Sequence, residues 1–204
     1  MNSILHRVFI MKQIITGFVS LFILLASLEL EAEQSRWSFD LRLGIDFPTQ
    51  DLGDANLDNG FGFEATLAYQ FIPHWAAYAG WGWNKFSADQ SFAGSAVDFE
   101  ETGYTFGLQF EQALGESALD YFIRFGGLYN HIEIENSNGN IIADSGHGLG
   151  WQLGAGLVIP LGKQWELTPD VRYRSLSTDF DIGSVKKDVD LTYFAVGLGV
   201  SRPF

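Results

Sequence analysis

Ten ionisable residues stand out because each falls on the polar side of an apolar–polar alternation: Asp40, Arg42, Glu64, Glu111, Asp120, Arg124, Glu166, Asp170, Arg172 and Arg174. Both signs occur, often close together as in DVRYR (170–174). Such residues offer ion pairing in a low-dielectric interior, or a charged path for solutes lined by Arg124, Arg172 and Arg174. Nucleophilic catalysis has one candidate: in DSGH (144–147), Ser145 and His147 are two apart and would share a strand face, as a Ser–His pair needs. The same residues are ordinary turn chemistry. Asp51, Asp54 and Asp58 in TQDLGDANLDNG (49–60) miss the calcium-loop pattern, which needs acids at every second position. His74 and His131 form no pair with metal-ligand spacing, and there is no cysteine. No catalytic residue, metal site or cofactor is therefore expected.

The chain that must position these residues has 204 of them, enough for one domain or at most two. Aromatics make up 15% and glycine 23 residues, while charged residues are only 18%. That balance favours strands and turns over helices. A formal charge of −13 argues against nucleic acid, whose phosphates need clustered Lys and Arg.

The N-terminus reads as a targeting segment. His6, Arg7 and Lys12 precede IITGFVSLFILLASL (14–28), an uncharged run of signal-core length, short for a spanning helix of about twenty residues. Residues 1–32 are expected to be a cleaved signal peptide and 33–204 the mature domain, with Met1 or Met11 as the start. An anchoring helix is the alternative reading of the same run.

Beyond Glu33, period two dominates. Eight segments alternate: 37–47, 61–71, 75–84, 102–111, 119–130, 149–161, 165–174 and 190–204. In the first, Trp37, Phe39, Leu41, Leu43, Ile45 and Phe47 oppose Ser38, Asp40, Arg42, Gly44 and Asp46. Short connections at 72–74, 112–118 and 162–164 alternate with long ones at 48–60, 85–101, 131–148 and 175–189. Turns at one end and loops at the other describe an up-and-down antiparallel barrel.

A soluble sandwich or barrel would also alternate, so the faces decide. The apolar face carries large aromatics on strand after strand, and the other is rich in Gly, Ala, Thr and charge. Eight strands enclose a space that side chains just fill. The small and polar face fits inside; the aromatic face must point outward, which only lipid tolerates. Trp37, Trp75 and Trp165 then fall near one rim, and Trp83, Trp151 and Tyr173 near the other, as two interfacial girdles. The all-β fold expected is an eight-stranded transmembrane barrel. The ten charges above face its lumen as a network that fills it. Interior glycines such as Gly44, Gly62, Gly107, Gly126 and Gly156 leave room for a cavity, or serve strand curvature.

The ending YFAVGLGVSRPF resembles the C-terminal strand of bacterial outer-membrane barrels, with Phe204 after alternating Phe194, Val196, Leu198 and Val200. Arg202 stands where that family commonly has an aromatic. With WELTPDVRYRSLS (165–177), the mature chain is similar to the small barrels of the outer-membrane protein A, X, W and opacity type. The resemblance implies export to a Gram-negative outer membrane and reading of Phe204 by the barrel-assembly machinery. It also implies contact with outer-membrane lipids and lipopolysaccharide, and a structural or adhesive role toward a host or surface ligand through the outer loops. A narrow porin-like channel for small solutes is the alternative. A lipid A-modifying enzyme is less favoured: no deacylase motif surrounds DSGH, and residues 33–36 leave no room for the palmitoyl-transferring barrel's leading helix. Asp89, Asp98, Glu133, Glu135, Asp179 and Asp181 are placed to bridge divalent cations to lipopolysaccharide.

Overall fold

The computed structural model describes residues 36–182 and 185–204. The predicted signal peptide, 1–32, lies outside the described residues. Nine strands form among the described residues: β1 (Trp37–Pro48), β2 (Gly60–Ile72), β3 (Trp75–Ser91), β4 (Gly94–Ala113), β5 (Asp120–Glu135), β6 (Ile141–Asp144), β7 (Gly148–Pro160), β8 (Glu166–Ile182) and β9 (Val185–Pro203). All pair antiparallel. The order β4-β3-β2-β1-β9-β8-β7-β5 is closed by a β4–β5 ladder, so eight strands make a ring, and short β6 hangs on the end of β5. Closure removes every edge from the main ring, the condition for sheet to sit in hydrocarbon. This is the all-β eight-stranded barrel expected from the alternation.

The outward face is apolar and bare. Leu43, Ile45, Phe61, Phe106, Phe125, Leu153, Val171, Val196 and Leu198 are all exposed, in a continuous band around the barrel. No water-soluble monomer shows apolar surface on that scale. The short connections occur as expected: Pro73 and His74 turn β2 into β3, with His74 in the left-handed region (φ 69°).

Three of the long connections are not loops. β3 runs on to Ser91 and β4 starts at Gly94, so most of 85–101 is a paired hairpin. β5 continues to Glu135, and β8 and β9 pair through Asp179↔Asp188. The reason is a change of phase in the alternation. On β3 Ala77, Ala79, Trp81 and Trp83 are outward, but Phe86 and Ala88 are inward and buried, with Lys85 and Ser87 outside. β4 flips likewise, with Val97 and Phe99 inward and Asp98 and Glu100 outward. Ile132 and Ile134 on β5, Leu176 and Phe180 on β8, and Val189 and Leu191 on β9 repeat the switch. Below the flip a strand faces lipid; above it the strand faces water and behaves as an ordinary half-buried strand. The barrel thus extends beyond the membrane as a soluble-type cylinder with its own apolar core.

Candidate functional site: the barrel lumen

The lower lumen is built by residues at every second position of β1, β2, β5 and β8, which the pleat aims inward. Glu64 is its hub. Its Oε1 accepts from Arg172 Nη1 at 2.5 Å, Thr66 Oγ1 at 3.1 Å and Arg124 Nη1 at 3.5 Å, while Oε2 lies 3.8 Å from Arg174 Nη1. Asp170 accepts Arg172 Nε and Arg42 Nε, each at 2.7 Å. Arg42 also donates Nη2 to the Ala195 carbonyl at 3.2 Å. Arg124 donates Nε and Nη2 to Gln109 Oε1 at 3.0 and 2.8 Å and lies 4.4 Å over the Tyr78 ring. Buried charges survive only when paired and hydrogen-bonded in this way.

Six of the ten charges expected in the lumen therefore meet: Arg42, Glu64, Arg124, Asp170, Arg172 and Arg174. Asp40 joins at the side, accepting Thr168 Oγ1 at 2.8 Å. Asp40, Glu111 and Glu166 line a cavity of about 40 Å³ beneath the network, with Ser38, Gln109 and Ser201. That is room for a few waters. Asp120 sits at the periplasmic end of β5, opposite Ala113 and Val158, away from these pairs.

Glu101, read as the end of a loop, is the second hub. It is wholly buried and accepts Asn84 Nδ2 at 3.2 Å, Asn130 Nδ2 at 2.6 Å and Tyr193 Oη at 2.5 Å, with Arg174 Nη2 3.6 Å away. The signal for it was present, since Glu101 keeps the inward parity of Gly103 and Thr105 on the same strand. Asp46 lies near this level of β1, fully buried, and neither carboxylate oxygen has a hydrogen-bond partner.

Above it the lumen is apolar. Phe86, Phe99, Ile132, Ile134, Leu176, Phe180 and Leu191 converge with Leu52 and Ala55, which the β1–β2 connection folds in from above through a Leu52–Ala55 backbone pair. Phe92 at the β3–β4 tip packs on Phe99 and Phe180, ring centres 6.0 and 5.7 Å apart.

The interior glycines make room for large neighbours. A Cβ at Gly107 or Gly126, which face each other across β4 and β5, would stand 2.8 or 2.5 Å from Tyr78 Oη; one at Gly156 would stand 2.6 Å from the Phe122 ring. Space that glycine suggested as cavity is occupied by these side chains.

The aromatics expected to form the girdles pair with neighbouring rings. Trp37 packs on Tyr69 (4.7 Å between ring centres) and Trp75 on Phe110 (5.2 Å) at the periplasmic side. At the other, Trp83 meets Phe61 (5.5 Å), Trp151 meets Tyr173 (5.4 Å) and Tyr173 meets Phe194 (5.1 Å). Arg202, the departure from the family's aromatic, lies with its guanidinium 5.4 Å over the Trp165 ring, a cation–π contact that keeps a flat group at the interface. Phe204 follows β9 directly. In DSGH, Ser145 Oγ accepts the Ile132 N–H and donates to the Gly146 carbonyl, which makes it a turn residue.

The barrel has relatives. Solved structures similar to it include Neisserial surface protein A (13% identity, 83% of this chain and 98% of that one, TM-score 0.61) and OprG from Pseudomonas aeruginosa (15%, 83% and 98%, TM-score 0.57). E. coli outer membrane protein W is a third (14%, 84% and 100%, TM-score 0.56). At these identities the likeness is one of fold. No curated protein matches the sequence. The sequence pattern described as outer membrane protein beta-barrel domain matches residues 18–201. A closed ring with an apolar outer face and that match agree: the chain belongs to the outer membrane protein beta-barrel domain family and is an outer-membrane protein.

Proposed function

We propose that this protein is a closed barrel that serves the outer membrane as a structural body and meets other molecules with the cylinder it raises above the lipid. One observation carries the reading: the lumen is filled in two successive layers, the ion network below and the apolar core above. A solute would have to break buried ion pairs and then displace packed Phe and Leu side chains, each worth several kcal/mol. The outer wall of the cylinder supports a surface role, since it presents Asp98, Glu100, Glu133, Glu135, Asp179 and Asp190 with few cations. Such a wall suits a cationic ligand, or lipopolysaccharide through bridging divalent ions. Phe204 and β9 serve assembly on this reading.

Planar-bilayer conductance of the refolded chain from Glu33, after a heat-modifiable gel shift, tests it. A folded protein that leaves the bilayer silent supports the closed barrel. Steady discrete conductance would replace it with the narrow solute channel.

A further inference from the structure

The ladder on the outer wall sets three carboxylates in one row. Glu100 on β4 is the register partner of Glu133 on β5, and Glu133 is the partner of Asp144 on β6. Like charges directly opposite each other are destabilising. Glu100 has its cation, Lys85 Nζ at 2.9 Å, but Glu133, flanked by acids on both sides, has no ion-pair or hydrogen-bond partner among the described residues. What lies beside it is His131, whose Nδ1 is 3.0 Å from Asp144 Oδ1.

We propose that His131, Glu133 and Asp144 bind a borderline divalent transition ion of the zinc class on the outer wall, just above the aromatic girdle. One donor atom from each lies within 4.8 Å of the others. Zinc ligands at about 2.0–2.2 Å from the metal lie roughly 3.4 Å apart, so closure needs side-chain movements of about an ångström. His131 and Glu133 are half-buried and Asp144 is exposed, which leaves that freedom and an open coordination position.

The framework is firm. Ile132 N–H donates to Ser145 Oγ and Ser145 N–H to the Ile132 carbonyl, pinning the turn after β6 onto β5. Gly146 N–H holds Asp144 Oδ1 at 2.8 Å. A second imidazole, His147, stacks on His131 with ring centres 4.7 Å apart and planes 13° from parallel, itself resting on Tyr129. An imidazole with two carboxylates suits zinc-class ions, whereas calcium takes six to eight oxygens that this wall does not gather. The ion would supply the missing positive charge and clip β6 to β5. No reaction is implied, and the site stands whether or not the lumen conducts.

The test is zinc binding to the refolded protein in detergent, read by competition with a chromophoric chelator, with folding of each variant confirmed by heat-modifiable migration. One equivalent is expected, weakened at least tenfold in His131→Ala and in the isosteric Glu133→Gln, and unchanged in Asp58→Asn on another connection. Millimolar calcium should not displace it. Wild-type binding no tighter than that of either variant, or displacement by calcium at equal concentration, would overturn the site.

Discussion

Arg172 on β8 and Glu64 on β2, separated around the ring by β1 and β9, meet at 2.5 Å in the lumen, with both side chains 2% exposed. Arg172 is at the same time tied to Asp170 on its own strand. The pair therefore staples opposite walls of the barrel, and Glu64 is shared with Arg124 and Arg174.

Removing the hub should be costly. Glu64→Gln leaves three guanidiniums sharing too few carboxylates, and breaking a buried pair from one side costs about 3–5 kcal/mol. Urea unfolding in lipid vesicles should show that loss, and a smaller one when Arg172→Met is added, because no uncompensated charge then remains. A Glu64→Gln midpoint equal to wild type would mean that the network does not stabilise the barrel.

The two lumen layers act in series, so neither alone should open a path. Phe86→Ala with Phe180→Ala removes part of the upper layer at a cost of about 3–5 kcal/mol for each side chain. Arg42→Ala with Arg172→Ala removes part of the lower. Bilayers should stay silent with either pair and conduct with all four substitutions. Conductance from the upper pair alone would show that the ion network is no barrier.

Lys85 holds the β3–β4 hairpin above the membrane, 2.8 Å from Asp98, 2.9 Å from Glu100 and 3.5 Å from Glu135. Burial alone would raise Asp98, but the hydrogen bonds from Lys85 and Ser87 outweigh it and keep its carboxyl below the usual range. A depressed acid contributes stability that is complete above its unfolded value and lost as pH falls through the folded one. Protection factors of the hairpin-tip amides, taken relative to the intrinsic exchange rate at each pH, should therefore fall in wild type as pH drops from about 5 toward 3, around the ordinary Asp value. Lys85→Met should reverse the trend: its carboxylates repel at neutral pH and are relieved by protonation. Parallel profiles in the two proteins would contradict this assignment.

Asp46 carries two buried oxygens without hydrogen-bond partners. An unsatisfied buried polar group costs about 1–3 kcal/mol. Asp46→Asn should be neutral or stabilising at pH 7 in the same unfolding assay. A large destabilisation would show that the carboxylate has a partner such as enclosed water.

Much of this was legible in the amino-acid pattern alone. Alternation is a local property, so Trp37 to Phe47, Phe61 to Phe71 and their counterparts announced strands, faces and girdles. Lipid then settled which face was outside, since eight strands cannot enclose the aromatics. The inward parity of Asp40, Arg42, Glu64, Arg124, Asp170, Arg172 and Arg174 followed from the same count. The partners did not. Glu64 and Arg172 are 108 residues apart, and their meeting depends on the stagger of strands around the closed ring, which period two does not encode. For the same reason Asp120 fell outside the network and Glu101 became a hub within it. The hairpins hidden in 85–101 and 175–189 were missed because their alternation runs in the opposite phase, and a flipped phase reads as a break until the outer boundary of the lipid is known. Local pattern determined that this chain crosses a membrane as a barrel; only closure of the ring decided which charges meet, what fills the lumen and where the strands rise into water.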